Sequence, residues 1–151
     1  KLYGLIQECR YGIHDLSRTE LDDDHKLPRF NMPLELGLFL GAKRYGNTAQ
    51  HDKRLLILDI ERFRYQKFIS DLAGMDIHEH GGKAEAAIRE TRDWLANVSR
   101  RQIPSGDKIV RLYEQFTADL HALAAALEFA PAKIPYVDFE RIVVGWLTRD
   151  A

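Results

Sequence analysis

The chain has 151 residues, 22 Lys and Arg against 23 Asp and Glu, and a single cysteine, Cys9. That length supports one domain with a real core, and the balanced charge removes the electrostatic case for a nucleic-acid partner. One cysteine excludes an internal disulfide and a cysteine-based zinc site, which fits a reducing, cytoplasmic setting, and no apolar run approaches a membrane span.

Lys1 to Glu8 reads as the end of an amphipathic helix, with Leu2, Leu5 and Ile6 on one side and no cap before it. No signal peptide opens the chain and the first residue is not Met, so the native protein is expected to continue before Lys1. Tyr11 to Asp15 reads as a short strand, followed by a polar loop that runs to Phe30. Within it, Asp22-Asp23-Asp24-His25 lacks the glycine and spaced oxygens of a calcium loop and reads as a solvated acidic turn.

The next stretch predicts a helix. Asn31 is placed as its N-cap and Pro33 at the first helical position, so Glu35 is expected in the first turn. Glu35 is the only charged side chain from Met32 to Ala42, on a helix apolar almost all round and hence expected to be buried. A lone buried carboxylate is costly unless it is paired or used, and a helix N-terminus favours its ionised form. Glu35 is therefore the first candidate for chemistry. The plainer alternatives are that it caps its own helix or pairs with Arg29 or Arg44.

Gly46-Asn47 ends that helix. Leu55 to Asp59 is a continuous apolar run of strand length, the mark of a strand covered on both faces of a parallel sheet. A short helix is expected around Tyr65 to Leu72 and a third short strand over Met75 to His78. Lys53-Arg54 and Arg62-Phe63-Arg64 are read as charges that keep a strand soluble, with phosphate binding as the alternative. His78-Glu79-His80, beside Gly81-Gly82, reads as a surface turn, because a third metal ligand cannot be named.

The second half is helical. Ala84 to Ser99 forms one helix, and Ser105 or Asp107 caps the next, which carries a stripe from Ile109 through Phe116 to Leu127. A final helix covers about Asp138 to Leu147, with Phe139, Ile142, Val143 and Trp146 on one face. The stripe from Ile109 to Leu127 either covers the sheet or forms a face for a second copy of the chain.

This order predicts an α/β fold: a small parallel sheet of flavodoxin- or Rossmann-like type flanked by helices, with a helical C-terminal half. Residues 1–80 are expected to form the α/β core and 81–151 a helical segment packed on it in the same domain. Ligands of such sheets bind beyond the carboxyl ends of the strands. That rim would collect Asp15, Glu35 and Asp59 in one crevice, joined by Ser17, Arg29 and Asn31. His14-Asp15 is not read as a metal-binding pair, because it lies on a strand without ligands at helical spacing; no metal or cofactor is assigned.

The run Gly12-Ile13-His14-Asp15-Leu16-Ser17, then Asn31-x-Pro33-x-Glu35-Leu36-Gly37, Gly41-Ala42-Lys43 and an apolar strand resembles the nucleoside 2-deoxyribosyltransferase-like family and the related TIR-type NAD-cleaving domains. The resemblance covers residues 1–59 and lacks that family's first strand and its loop facing the sugar. It implies cleavage or transfer of an N-glycosidic bond, with Glu35 as nucleophile or stabiliser of the sugar cation and Asp15 holding base or ribose. Such a step passes through an oxocarbenium-like centre that a carboxylate can trap. The implied ligand is a nucleotide, a nucleoside or an NAD-like molecule. The alternative reading keeps the same crevice in a module that senses a nucleotide or binds a protein without catalysis.

Overall fold

The computed structural model describes residues 2–21 and 26–149; the acidic Asp22-Asp23-Asp24-His25 turn lies outside them. Three strands, β1 (Tyr11–Asp15), β2 (Arg54–Asp59) and β3 (Ile77–Glu79), form one parallel sheet in the order β1-β2-β3. Ile13 pairs with Leu56, and Leu58 with His78. As the apolar run requires, the central strand is covered on both faces: Leu56, Ile57 and Leu58 are all buried. Each such side chain contributes about 1.5–3 kcal/mol relative to exposure.

Alternation along β1 divides the two faces. Gly12 and His14 point at Phe39 of α2 (Asn31–Tyr45), the crossover between β1 and β2. Tyr11 points the other way and meets Trp94 of α4 (Ala84–Ser99) edge to face, with ring centroids 6.1 Å apart. The main core lies on the α2 face. There Leu16, Leu36, Ile57, Tyr65, Leu72 and Ile77 form one cluster, with Met32, Leu40 and Ile69 packed against it.

Two expectations about α2 are corrected. Phe30 already has helical backbone angles, so the helix begins at Asn31, no side chain caps it and its first turn holds no acid. Pro33 is accommodated inside that turn because its missing N–H is one that an α-helix leaves unpaired there. The helix is also not buried all round. Leu36 and Phe39 are buried, while Leu34 is exposed, because only one flank meets the sheet.

Lys53 is a further correction. It does not stand out to solubilise a strand: it is 1 % exposed, and its ammonium donates to the carbonyls of Ile6 and Cys9. Those carbonyls lie at the C-terminal end of α1 (Leu2–Glu8), where acceptors are left over and the dipole favours a cation. Lys43 of α2 in turn donates to the carbonyls of His51 and Lys53 at 3.1 and 2.6 Å, tying α2 to the short α3 (Thr48–His51) and to the entry of β2.

The predicted helix around Tyr65 to Leu72 is two 3-10 turns, Arg64–Lys67 and Ser70–Leu72. Ile69 between them leaves the helical region, at φ −139° and ψ 77°, and Phe63 ahead of them has a φ of 64°.

By its internal contacts the chain divides into two compact units, Lys1–Ile103 and Pro104–Ala151, so α4 belongs with the sheet. The second unit consists of α5 (Gly106–Ala126), capped by the Ser105 hydroxyl, and α6 (Tyr136–Thr148). Its own core is Phe116 against Ile142 and Trp146, with Leu112, Leu120 and Val143 around them. Trp146 finds its polar partner in Asp119, to which the indole N–H donates at 2.8 Å. Among the described residues no helix is long and apolar enough to cross a membrane.

Candidate functional site

The strand ends carry acids because each parallel strand delivers its last residue to the same rim. Asp59 ends the central strand and is fully buried. Its Oδ1 accepts from the backbone of Ile60 at 2.7 Å and from Arg64 Nε and Nη2 at 2.9 and 2.6 Å. Its Oδ2 is buried without a partner among the described residues. Arg64 serves three residues on two segments. Besides Asp59 it reaches the Leu16 carbonyl at 2.7 Å and the Thr19 hydroxyl at 3.0 Å. Taken alone, a buried ion pair adds little net stability, but removing one partner strands the other.

Asp15 ends β1 on the opposite face of the sheet. Its Oδ1 accepts from the Ser17 backbone at 2.9 Å and from His80 at 3.3 Å. The turn-capping role of an aspartate at a strand end is thus filled. His80 is 7 % exposed, and its Nδ1 accepts from the Gly82 backbone N–H at 3.1 Å. In the neutral ring the proton therefore sits on Nε2 and is aimed at Asp15. The surface-turn reading of His78-Glu79-His80 does not hold. His80 is buried against Asp15, while His78 turns to Glu90 on α4 at 2.6 Å. Among the described residues no group of three or more His, Cys, Asp and Glu could hold a metal ion.

A cavity of about 280 Å³ opens at the same rim, on the α2 face. Thr19, Pro28, Arg29 and Phe30 of the long loop, Pro33 of α2, and Phe68 and Ile69 line it. Phe30 and Phe68 are exposed there. Arg29 is the one charged residue among these, and none of the described residues that line the cavity is a carboxylate.

The single crevice expected for Asp15, Glu35 and Asp59 does not form. Asp15 and Asp59 leave opposite faces of the sheet, because the pleat alternates and Asp15 is in register with Leu58 rather than with Asp59. Glu35 stands roughly 160° round α2 from Pro33, at 3.6 residues per turn. It shares its flank with Leu38 and Ala42, which border a separate groove against Tyr3, Ile6 and Gln7 of α1. Glu35 is half-buried and makes no hydrogen bond or ion pair with a described residue, so neither Arg29 nor Arg44 holds it. Of the remaining candidates, Arg29 lines the cavity, Ser17 serves Asp15 through its backbone, and Asn31 is an exposed first residue of α2.

Arg64, Thr19 and Phe68 are site residues that the sequence did not single out. The signal for Arg64 was present in Arg62-Phe63-Arg64, but two arginines on one short segment look alike until one is seen to bond Asp59. No family model, curated protein or solved structure matches this chain.

Proposed function

We propose that the chain is a binding module that takes a small nucleoside- or nucleotide-class ligand in the rim cavity and acts without cutting it. The observation that carries this is the lining: two exposed phenylalanines, two prolines and one arginine beyond the carboxyl ends of parallel strands. Small-ligand sites are concave and mostly apolar, with few polar groups that orient the ligand. A planar base stacks on an aromatic face, and a guanidinium is the preferred donor to a phosphate. Phe30 and Phe68 would take the base, and Arg29 the phosphate or ribose. The resemblance of residues 1–59 to nucleoside-processing enzymes supports the same ligand class.

Glycosidic cleavage by Glu35, with Asp15 orienting the substrate, is the second reading. In its favour Glu35 is a carboxylate without a partner among the described residues. Against it stands the flank that Glu35 occupies, away from the cavity.

One experiment separates them: thermal stabilisation and product analysis with AMP, NAD and deoxyadenosine, on wild type, Phe68→Ala, Arg29→Ala and Glu35→Gln. A ligand at one hundred times its dissociation constant stabilises by about 2.7 kcal/mol, easily read as a melting shift. The binding reading expects a shift that is lost in Phe68→Ala, is weakened in Arg29→Ala for AMP more than for deoxyadenosine, and is unchanged in Glu35→Gln. Free base released by wild type and not by Glu35→Gln would establish cleavage. No shift with any of the three compounds would overturn the ligand class.

A further inference from the structure

The walls of the cavity come from segments far apart in the chain, and one side chain joins them. Thr19 stands on the loop after β1, whereas Phe68 and Ile69 stand on the segment after β2. Arg64 spans the gap. Its Nη1 donates to Thr19 Oγ1 at 3.0 Å, its Nη2 to the Leu16 carbonyl at 2.7 Å, and its guanidinium lies 5.2 Å from the centre of the Phe68 ring. The same group is fastened to Asp59 Oδ1 at 2.9 and 2.6 Å, and Asp59 is fully buried at the end of the central strand. The backbone just before it is held in an unusual state: Phe63 has a φ of 64°, which bulky L residues rarely adopt. Such a conformation persists only where its surroundings over-determine it.

We infer that Arg64 is the positioning residue of the cavity: by clamping the β1 loop and the post-β2 segment to Asp59, it sets the distance between Thr19 and Phe68 that a ligand meets. Its use rests on the binding reading above, but the clamp can be tested without any ligand. The role needs arginine. A planar fork can serve three acceptors on two segments while lying over a ring on a third, whereas an ammonium acts as a compact point charge. Arg64→Lys therefore keeps Asp59 paired and releases the walls.

The test is amide hydrogen exchange of wild type and Arg64→Lys, with AMP titration of both. The informative amides are Leu16 and Ser17 on one wall and Gln66, Phe68 and Ile69 on the other, all hydrogen-bonded in the folded chain. Both groups are expected to exchange about tenfold faster in Arg64→Lys, as local opening predicts, with α4 amides and the melting temperature little changed. Thr19→Val, which loses a single contact, is expected to loosen the β1 loop alone and covers the case in which Arg64→Lys folds poorly. AMP affinity is expected to fall about tenfold in Arg64→Lys, since loosened walls must be re-ordered on binding. Unchanged exchange on either wall, or equal AMP affinity in the two proteins, overturns the clamp. If wild type does not bind AMP, the nucleotide class falls and the exchange result alone decides the clamp.

Discussion

His14 is the most exacting test of the packing on the α2 face. It is 5 % exposed, and neither ring nitrogen has a partner among the described residues. Its ring meets Phe39 edge to face at 5.3 Å, and the ammonium of Lys53 lies 4.8 Å from the centre of that same Phe39 ring. Burial holds the imidazole below its ordinary pKa of 6.5. The sign follows from proton counting. Above pH 6.5 the ring is neutral in both folded and unfolded chains. Below it the unfolded chain takes a proton that the folded site refuses, so stability falls as pH drops, until the folded pKa is reached. The slope from this one group is at most about 1.4 kcal/mol per pH unit. Urea unfolding of wild type and His14→Leu at pH 7.5 and 5.5 isolates it. Wild type is expected to lose up to about 1.4 kcal/mol more than His14→Leu over that one unit below 6.5. At pH 7.5 the leucine variant is expected to match wild type or exceed it, since it removes an unpaired donor and acceptor together. Equal acid losses in the two proteins would refute the reasoning. So would a leucine variant that is weaker at pH 7.5 by more than about 1 kcal/mol, because His14 would then be making a bond worth keeping.

The neighbouring positions give further expectations. A Cβ at Gly12 would sit 2.8 and 2.9 Å from the Phe39 ring and 2.9 Å from His14 Nε2. Gly12→Ala should cost about 1–3 kcal/mol by overpacking, as read by chemical denaturation, and distinctly less when Phe39→Leu makes room. Lys53→Ala leaves the carbonyls of Ile6 and Cys9 without their ammonium donor and strips packing from Phe39, so a loss of about 3 kcal/mol is expected. Its exchange signature should concentrate in α1, and a loss below about 1 kcal/mol would show that the ammonium is dispensable. In the second unit, hydrogen bonds from the Trp146 indole and from Arg149 hold the Asp119 carboxyl below its ordinary 3.8. Stability from Asp119 is therefore present above that value and lost as pH falls through the depressed one. Trp146 fluorescence in a Trp94→Phe background should report an acid transition that Asp119→Asn flattens; an identical profile in both would remove Asp119 from the account.

How much of this is legible in the sequence depends on the range of the interaction. β1 over Tyr11–Asp15 and α4 over Ala84–Ser99 follow from local apolar periodicity and breakers, and both have the expected ends. The parallel pairing follows from the continuous apolar run after Lys53, since a strand buried on both faces needs helices above and below it. The Ser105 cap is likewise a local hydroxyl meeting a local N–H. What sequence could not decide is which long side chain reaches which partner. Lys53 and Arg54 are adjacent and chemically alike, yet one is buried beneath α1 and the other exposed, because alternation sends them to opposite sides. Arg64 is distinguished from Arg62 by its tertiary partners, above all Asp59, five residues back and fully buried. Glu35 was singled out by its solitary charge, a property of composition. Its distance from the cavity is a property of helix phase, set when Leu36 and Phe39 were chosen to face the sheet. Local patterns thus determined the elements and the rim they share; only the packing of strands and crossovers decided which charges that rim buries and which aromatic walls it leaves open.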